Sequence, residues 1–216
     1  MTQALSPTPS RGLPAVIWLL LALCTLPELL FQLTDRGLLG SQDLRQIVFR
    51  LGAFQSDLVS GSRILFWGQS FSIFVTYMFL HTGLPHLIVN MVGLVWLWRL
   101  ILDTRSAGDA VILYLMSGVG AGLVFALFGP QHTAMVGASG ALFGLLGMYG
   151  VDSRLFWSDV RRTGLPQKVL RLVCIAAVLM LSDLISRVAI GTSVAWQAHT
   201  GGFLTGAVAA MIWPRR

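Results

Sequence analysis

A chain of 216 residues and net charge +6 that is 55% hydrophobic and only 11% charged falls well short of the roughly one-quarter charged residues of an ordinary soluble domain. Fourteen arginines and one lysine stand against nine acids, with no basic run longer than two residues, a pattern that excludes a nucleic-acid-binding surface. Two cysteines, Cys24 and Cys174, are too few for a disulfide framework and read as buried thiols.

Residues 14–33 form an apolar run longer than a signal-peptide core and without a small-x-small site before its polar flank, so a retained first helix is expected. Residues 34–81 carry Arg36, Asp43, Arg45, Arg50, Asp57 and Arg63 among apolar side chains and are too polar to cross a bilayer. Within them Leu44, Ile47, Val48 and Leu51 recur at helical spacing, which predicts a helix lying in the membrane interface; an ordinary solvated loop is the alternative. Further spans are expected at 85–101, 110–128, 139–151, 169–190 and 198–213. The fourth span is short and glycine-rich and is expected at the bundle centre. The predicted fold is therefore an all-α integral membrane protein, a bundle of six transmembrane helices with a long interfacial loop after the first.

Positive residues near the span ends set the orientation. With the N-terminus in the cytoplasm, that side receives ten (Arg11, Arg99, Arg105, Arg154, Arg161, Arg162, Lys168, Arg171, Arg215 and Arg216) and the other side five. Both termini are expected in the cytoplasm, with residues 1–13 as a short tail. The bias toward arginine over lysine points to a GC-rich bacterial genome, hence to a bacterial cytoplasmic membrane.

Polar side chains inside spans are costly and mark function or interhelical hydrogen bonding. His86 and Asn90, four residues apart, share one face of the second helix. Ser139 opens the fourth span in Gly137-Ala138-Ser139-Gly140, where the backbone N–H groups and dipole of a helix N-terminus suit a developing oxyanion. His199 opens the sixth in Ala198-His199, with Gly202 and Gly206 following on nearly the same face. Gly140/Gly144 and Gly202/Gly206 are both G-x-x-x-G pairs, which let membrane helices approach closely and so bring a serine within reach of an imidazole base. The soluble-hydrolase elbow G-x-S-x-G is absent, since position 141 is alanine.

His81-x4-His86-x3-Asn90, Gly137-x-Ser139-Gly140 and Ala198-His199-x2-Gly202-x3-Gly206, in this order and on these spans, resemble the rhomboid family of intramembrane serine proteases. The resemblance covers nearly the whole chain, with residues 14–216 as the six-helix protease domain. It implies a Ser139–His199 dyad that cleaves transmembrane segments of single-span proteins near the exterior face of the bilayer. His86, Asn90 and the Ser139 backbone N–H would hold the oxyanion beside Gly137, and Phe143 would lie against the histidine. No cofactor or metal is implied. Many members carry Trp-Arg in the first loop, where this chain has Trp67-Gly68, so the packing of that loop is open.

Other readings remain. A catalytically inactive relative that escorts membrane proteins has no need of Ser139, His199, His86 and Asn90 together. A metal-dependent enzyme or carrier using His81, His86 and His199 lacks H-E-x-x-H and any nearby carboxylate. His81 reads as a loop anchor, His132 has no assigned role, Glu28 is expected to reach water, and Asp183 to pair with Arg187 one turn on. Without matching halves, a transporter is disfavoured.

Overall fold

The computed structural model describes residues 13–61, 63–152 and 195–213, with four isolated helical positions at 177, 180, 181 and 184. Apart from those four positions, the span expected at 169–190, with Cys174 and the Asp183–Arg187 pair, therefore lies outside the described residues, as do 1–12. Among the described residues the regular secondary structure is helical, apart from one isolated bridge. In chain order the helices are α1 (Ala15–Asp35), α2 (Leu44–Gly52), α3 (Ser56–Val59), α4 (Gln69–Thr76), which runs into a 3₁₀ turn (Tyr77–Phe79), α5 (Leu84–Leu102), α6 (Ala107–Phe128), α7 (Ser139–Asp152) and α8 (Trp196–Ile212).

Three of these, α1, α5 and α6, with 21, 19 and 22 residues, are long and apolar enough to cross a membrane; the protein is an integral membrane protein. Their boundaries follow local chemistry. Pro85 occupies the first turn of α5, where its missing N–H leaves no hydrogen bond unmade. At α6 a capping box forms: Ser106 Oγ accepts from the Asp109 N–H and Asp109 Oδ2 accepts from the Ser106 N–H, both at 3.0 Å.

With 14 residues, α7 is only about 21 Å long at 1.5 Å per residue, against a hydrocarbon core of about 30 Å. Its side chains from Ser139 to Met148 are all buried, as befits a helix apolar on every face. It is enclosed by α5, α6 and α8, and packs most extensively on α8. Glycines make that possible. A Cβ on Gly202 would collide with the Gly140 carbonyl oxygen, and one on Gly206 with that of Gly144, so the two G-x-x-x-G pairs interlock with backbone against backbone.

The segment between α1 and α5 is tied to the bundle at several points. Arg45 on α2 forks onto Glu28 of α1 at 2.9 and 3.0 Å, reaches Asp35 at 2.8 Å and donates to the His81 carbonyl at 3.0 Å. Its guanidinium also lies 4.9 Å from the centre of the Phe31 ring. Burial lowers the Arg45 pKa, but hydrogen bonding and charge from Glu28, then Asp35, outweigh it and leave the pKa raised. The expectation that Glu28 reaches water is thus wrong: the carboxylate is fully buried, because it has a forked cationic partner and a further hydrogen bond from Gln32 at 2.7 Å. Besides Arg45, α2 meets α1 through Phe49, whose ring stands edge to face with Phe31 at 6.0 Å, while Ile47 and Leu51 stay exposed.

Candidate active site

The segment after α1 also builds the turn that carries Ser139. Phe54 and Met135 exchange backbone hydrogen bonds at 2.9 and 2.8 Å, and the Tyr77 carbonyl accepts from the Gly137 N–H at 2.9 Å. The Tyr77 hydroxyl donates to the Gly118 carbonyl of α6 at 2.8 Å, so the 3₁₀ turn links α6 to the Gly137 turn. Farther out, His132 Nδ1 lies 2.6 Å from Asp57 Oδ2, joining the same two loops at the surface, a pairing across 75 residues that no motif in the sequence marks.

Gly137 has φ +121°, and a Cβ there would lie 2.8 Å from the His86 ring. Both facts require glycine. Immediately beyond, α7 begins with Ser139, whose Oγ lies 3.0 Å from His199 Nε2 in the first turn of α8. Both residues are buried, at 6% and 3% exposure. One turn along α7, the Phe143 ring stacks on the His199 imidazole with centroids 4.3 Å apart and planes 15° from parallel. A serine hydroxyl within hydrogen-bond distance of an imidazole nitrogen, with a stacked aromatic against the ring, has the geometry in which the imidazole can take the hydroxyl proton.

His86 stands in the first turn of α5. Its Nδ1 is 3.0 Å from Thr82 Oγ1, and its Cε1–Nε2 edge faces Gly137. Asn90, fully buried one turn on, donates from Nδ2 to the His86 carbonyl at 2.8 Å, while its Oδ1 has no hydrogen-bond partner among the described residues. The structure therefore brings together Ser139, His199, Phe143, Gly137 and His86, with Asn90 joined through the His86 backbone. Gly202 and Gly206 act one layer deeper, by letting α7 and α8 meet.

His81 is buried against His86, ring edge to ring face with centroids 5.1 Å apart. Burial pushes its pKa well below the usual range, the neighbouring His86 adds to this, and the Phe79 backbone offsets only part. A neutral ring held by packing, with its carbonyl tied to Arg45, fits an anchor. Among the described residues no group of three or more His, Cys, Asp or Glu side chains is arranged to hold a metal ion. Thr82, Tyr77 and Arg45 were missed in the sequence, since each acts through a partner 4 to 41 residues away with no motif of its own.

The family model described as the Rhomboid domain matches residues 68–216, a range that includes His86, Asn90, Ser139 and His199. RHOMBOID-like protein 2 of Arabidopsis thaliana is 33% identical over 129 residues, 60% of this chain and 38% of that protein. RHOMBOID-like protein 5 of the same plant is 29% identical over 160 residues, 73% of this chain and 46% of that protein. Rhomboid-like protease 3 of Toxoplasma gondii is 29% identical over 132 residues, 61% of this chain and 48% of that protein. The chain spans less than half the length of these relatives. With a domain match over more than half its length and the site inside that match, the chain belongs to the rhomboid family.

Proposed function

We propose that this protein is an intramembrane serine endopeptidase that cleaves transmembrane segments of single-span proteins, with Ser139 as nucleophile and His199 as general base. The observation that carries the reading is the buried 3.0 Å contact between Ser139 Oγ and His199 Nε2 beneath the Phe143 ring. His199 takes the serine proton as Oγ attacks the peptide carbonyl carbon; the C–N bond then breaks, and His199 returns the proton to the leaving amine. Water, deprotonated by the same imidazole, releases the acyl group and regenerates the serine. The negative charge on the carbonyl oxygen is held by the Ser139 N–H at the α7 N-terminus and by His86, with Asn90 contributing after its amide leaves the His86 carbonyl.

The family match and the relative named as a protease support this reading, as does a serine at the mouth of a helix shorter than the bilayer core. Such a position lies below the membrane surface yet within reach of water, which polar groups at that depth require. In the same proposal residues 14–216 form six spans after a tail at 1–13, and both termini face the cytoplasm. The bacterial cytoplasmic membrane is the proposed location, supported by the arginine-over-lysine bias. A substrate helix must unwind locally, so small or helix-breaking residues near the cut are preferred.

A fluorophosphonate tests the chemistry without knowledge of the substrate. The purified protein should be labelled at Ser139 with or without a chelator, and Ser139→Ala should not. An unlabelled, folded wild-type protein would contradict the proposal and favour an inactive relative; chelator-sensitive labelling would favour a metal-dependent enzyme.

A further inference from the structure

The His86 imidazole serves an oxyanion only if its Nε2 carries a proton, because a neutral ring has one donor nitrogen and one acceptor. An Nε2 lone pair would repel the oxygen it is meant to hold. What sets the proton's position is therefore the partner at the other nitrogen, Nδ1, and that partner is Thr82 Oγ1 at 3.0 Å. Thr82 is itself held from both sides. The preceding carbonyl, of His81, accepts from Arg45 at 3.0 Å, and the following one, of Gly83, accepts from the Leu87 N–H at 3.0 Å in the first turn of α5. The His81 ring packs edge-on against His86 and limits its swing. On the far side of His86 is the Gly137 turn, whose own N–H is engaged by the Tyr77 carbonyl.

We propose that Thr82 is a positioning residue for the reaction: its hydroxyl donates to His86 Nδ1 and so holds the neutral ring in the tautomer with the proton on Nε2, facing the Gly137–Ser139 turn. The inference rests on the protease reading for its catalytic consequence, but the state of the ring can be measured without substrate. Thr82 makes no contact with the reacting atoms; it acts through His86. Valine at this position keeps the shape of the side chain and removes the donor, whereas serine keeps the donor.

The test joins a spectroscopic and a kinetic readout. In detergent-solubilised protein labelled with ¹⁵N-histidine, at a pH where the ring is neutral, His86 should show a protonated Nε2 and an unprotonated Nδ1. Thr82→Val should show a mixture of tautomers and Thr82→Ser the wild-type pattern. With a cleavable single-span substrate, Thr82→Val should lower kcat about five- to tenfold, the worth of one hydrogen bond, with KM little changed; Thr82→Ser should restore kcat to within about twofold, the range of a retained hydrogen bond. A proton on Nδ1 of the neutral ring in the wild-type protein would overturn the proposal even if Thr82→Val does not fold. So would a Thr82→Val variant with unchanged tautomer, or one that changes KM alone. Failure of every rhomboid-type substrate would count against the protease reading, while the ring measurement would still decide this one.

Discussion

Replacing Gly202 with alanine adds one methyl group where α8 crosses α7. That methyl would strike the Gly140 carbonyl oxygen, with the carbonyl carbon at 2.8 Å and the Cα at 3.5 Å. Carbon atoms settle at about 3.5–4.0 Å, so the two helices must part by about 1 Å at this level. Gly140 follows Ser139 directly, and Gly202 is three residues after His199. The parting therefore acts on the 3.0 Å contact itself, carrying it beyond the hydrogen-bond range of about 2.6–3.2 Å. A displacement of about 1 Å can lower turnover about 10²-fold. Overpacking destabilises by about 1–3 kcal/mol, and alanine in a helix recovers up to about 1 kcal/mol relative to glycine, so the fold should lose less than the roughly 2.7 kcal/mol that a 10²-fold loss of turnover represents. Cleavage of a single-span substrate, measured beside thermal denaturation, separates the two. Gly108→Ala is the control: its Cβ would meet nothing nearer than Ser106 Oγ at 3.7 Å, and it should be neutral or mildly stabilising. A Gly202→Ala protein with wild-type turnover would refute the reasoning.

Glu28→Gln removes the charge opposite Arg45 in a buried pair and should destabilise toward the low end of about 3–5 kcal/mol, because Arg45 keeps Asp35 and is itself 17% exposed; an unchanged denaturation midpoint would contradict this. Phe143→Ala should leave the protein folded and lower kcat about tenfold, since a stacked ring contributes about 0.5–1.5 kcal/mol and here also orients His199; wild-type turnover would mean that other contacts fix the imidazole. Reporter fusions at Gln55 and at the C-terminus should give opposite signals, and the same signal from both would overturn the proposed six-span topology.

The helices α1, α5, α6, α7 and α8 begin and end within three residues of the apolar stretches read from the sequence, because a run of apolar residues long enough to form a helix is a local signal that does not depend on its neighbours. The helix at Leu44–Gly52 was legible for a similar reason: its spacing is local. Family membership was legible from Ser139, His199 and the glycines between α7 and α8, since each lies in a short motif at a helix start. What the sequence hid is the work of the loop. Arg45 looks like any interfacial arginine until Glu28, 17 residues away, turns out to be buried; reading Glu28 by its nearness to a span end gave the wrong environment. Tyr77, Phe54 and Thr82 carry no motif, and their roles exist only once the first loop folds back against Met135, Gly137 and His86. Pairings of that kind leave no periodicity to read.

The central claim is that Ser139 and His199 work as one catalytic unit. Its most direct test is cleavage of single-span proteins by the wild type, Ser139→Ala and His199→Ala, each reconstituted in lipid vesicles and shown to be folded. The account predicts a discrete cut within the transmembrane segment by the wild type and none by either variant. The two single losses should also be no smaller than the loss in the double variant, as for residues that act as a unit. Cleavage by folded Ser139→Ala or His199→Ala at more than a few per cent of the wild-type rate, a far smaller loss than removing a nucleophile or its base causes, would contradict it.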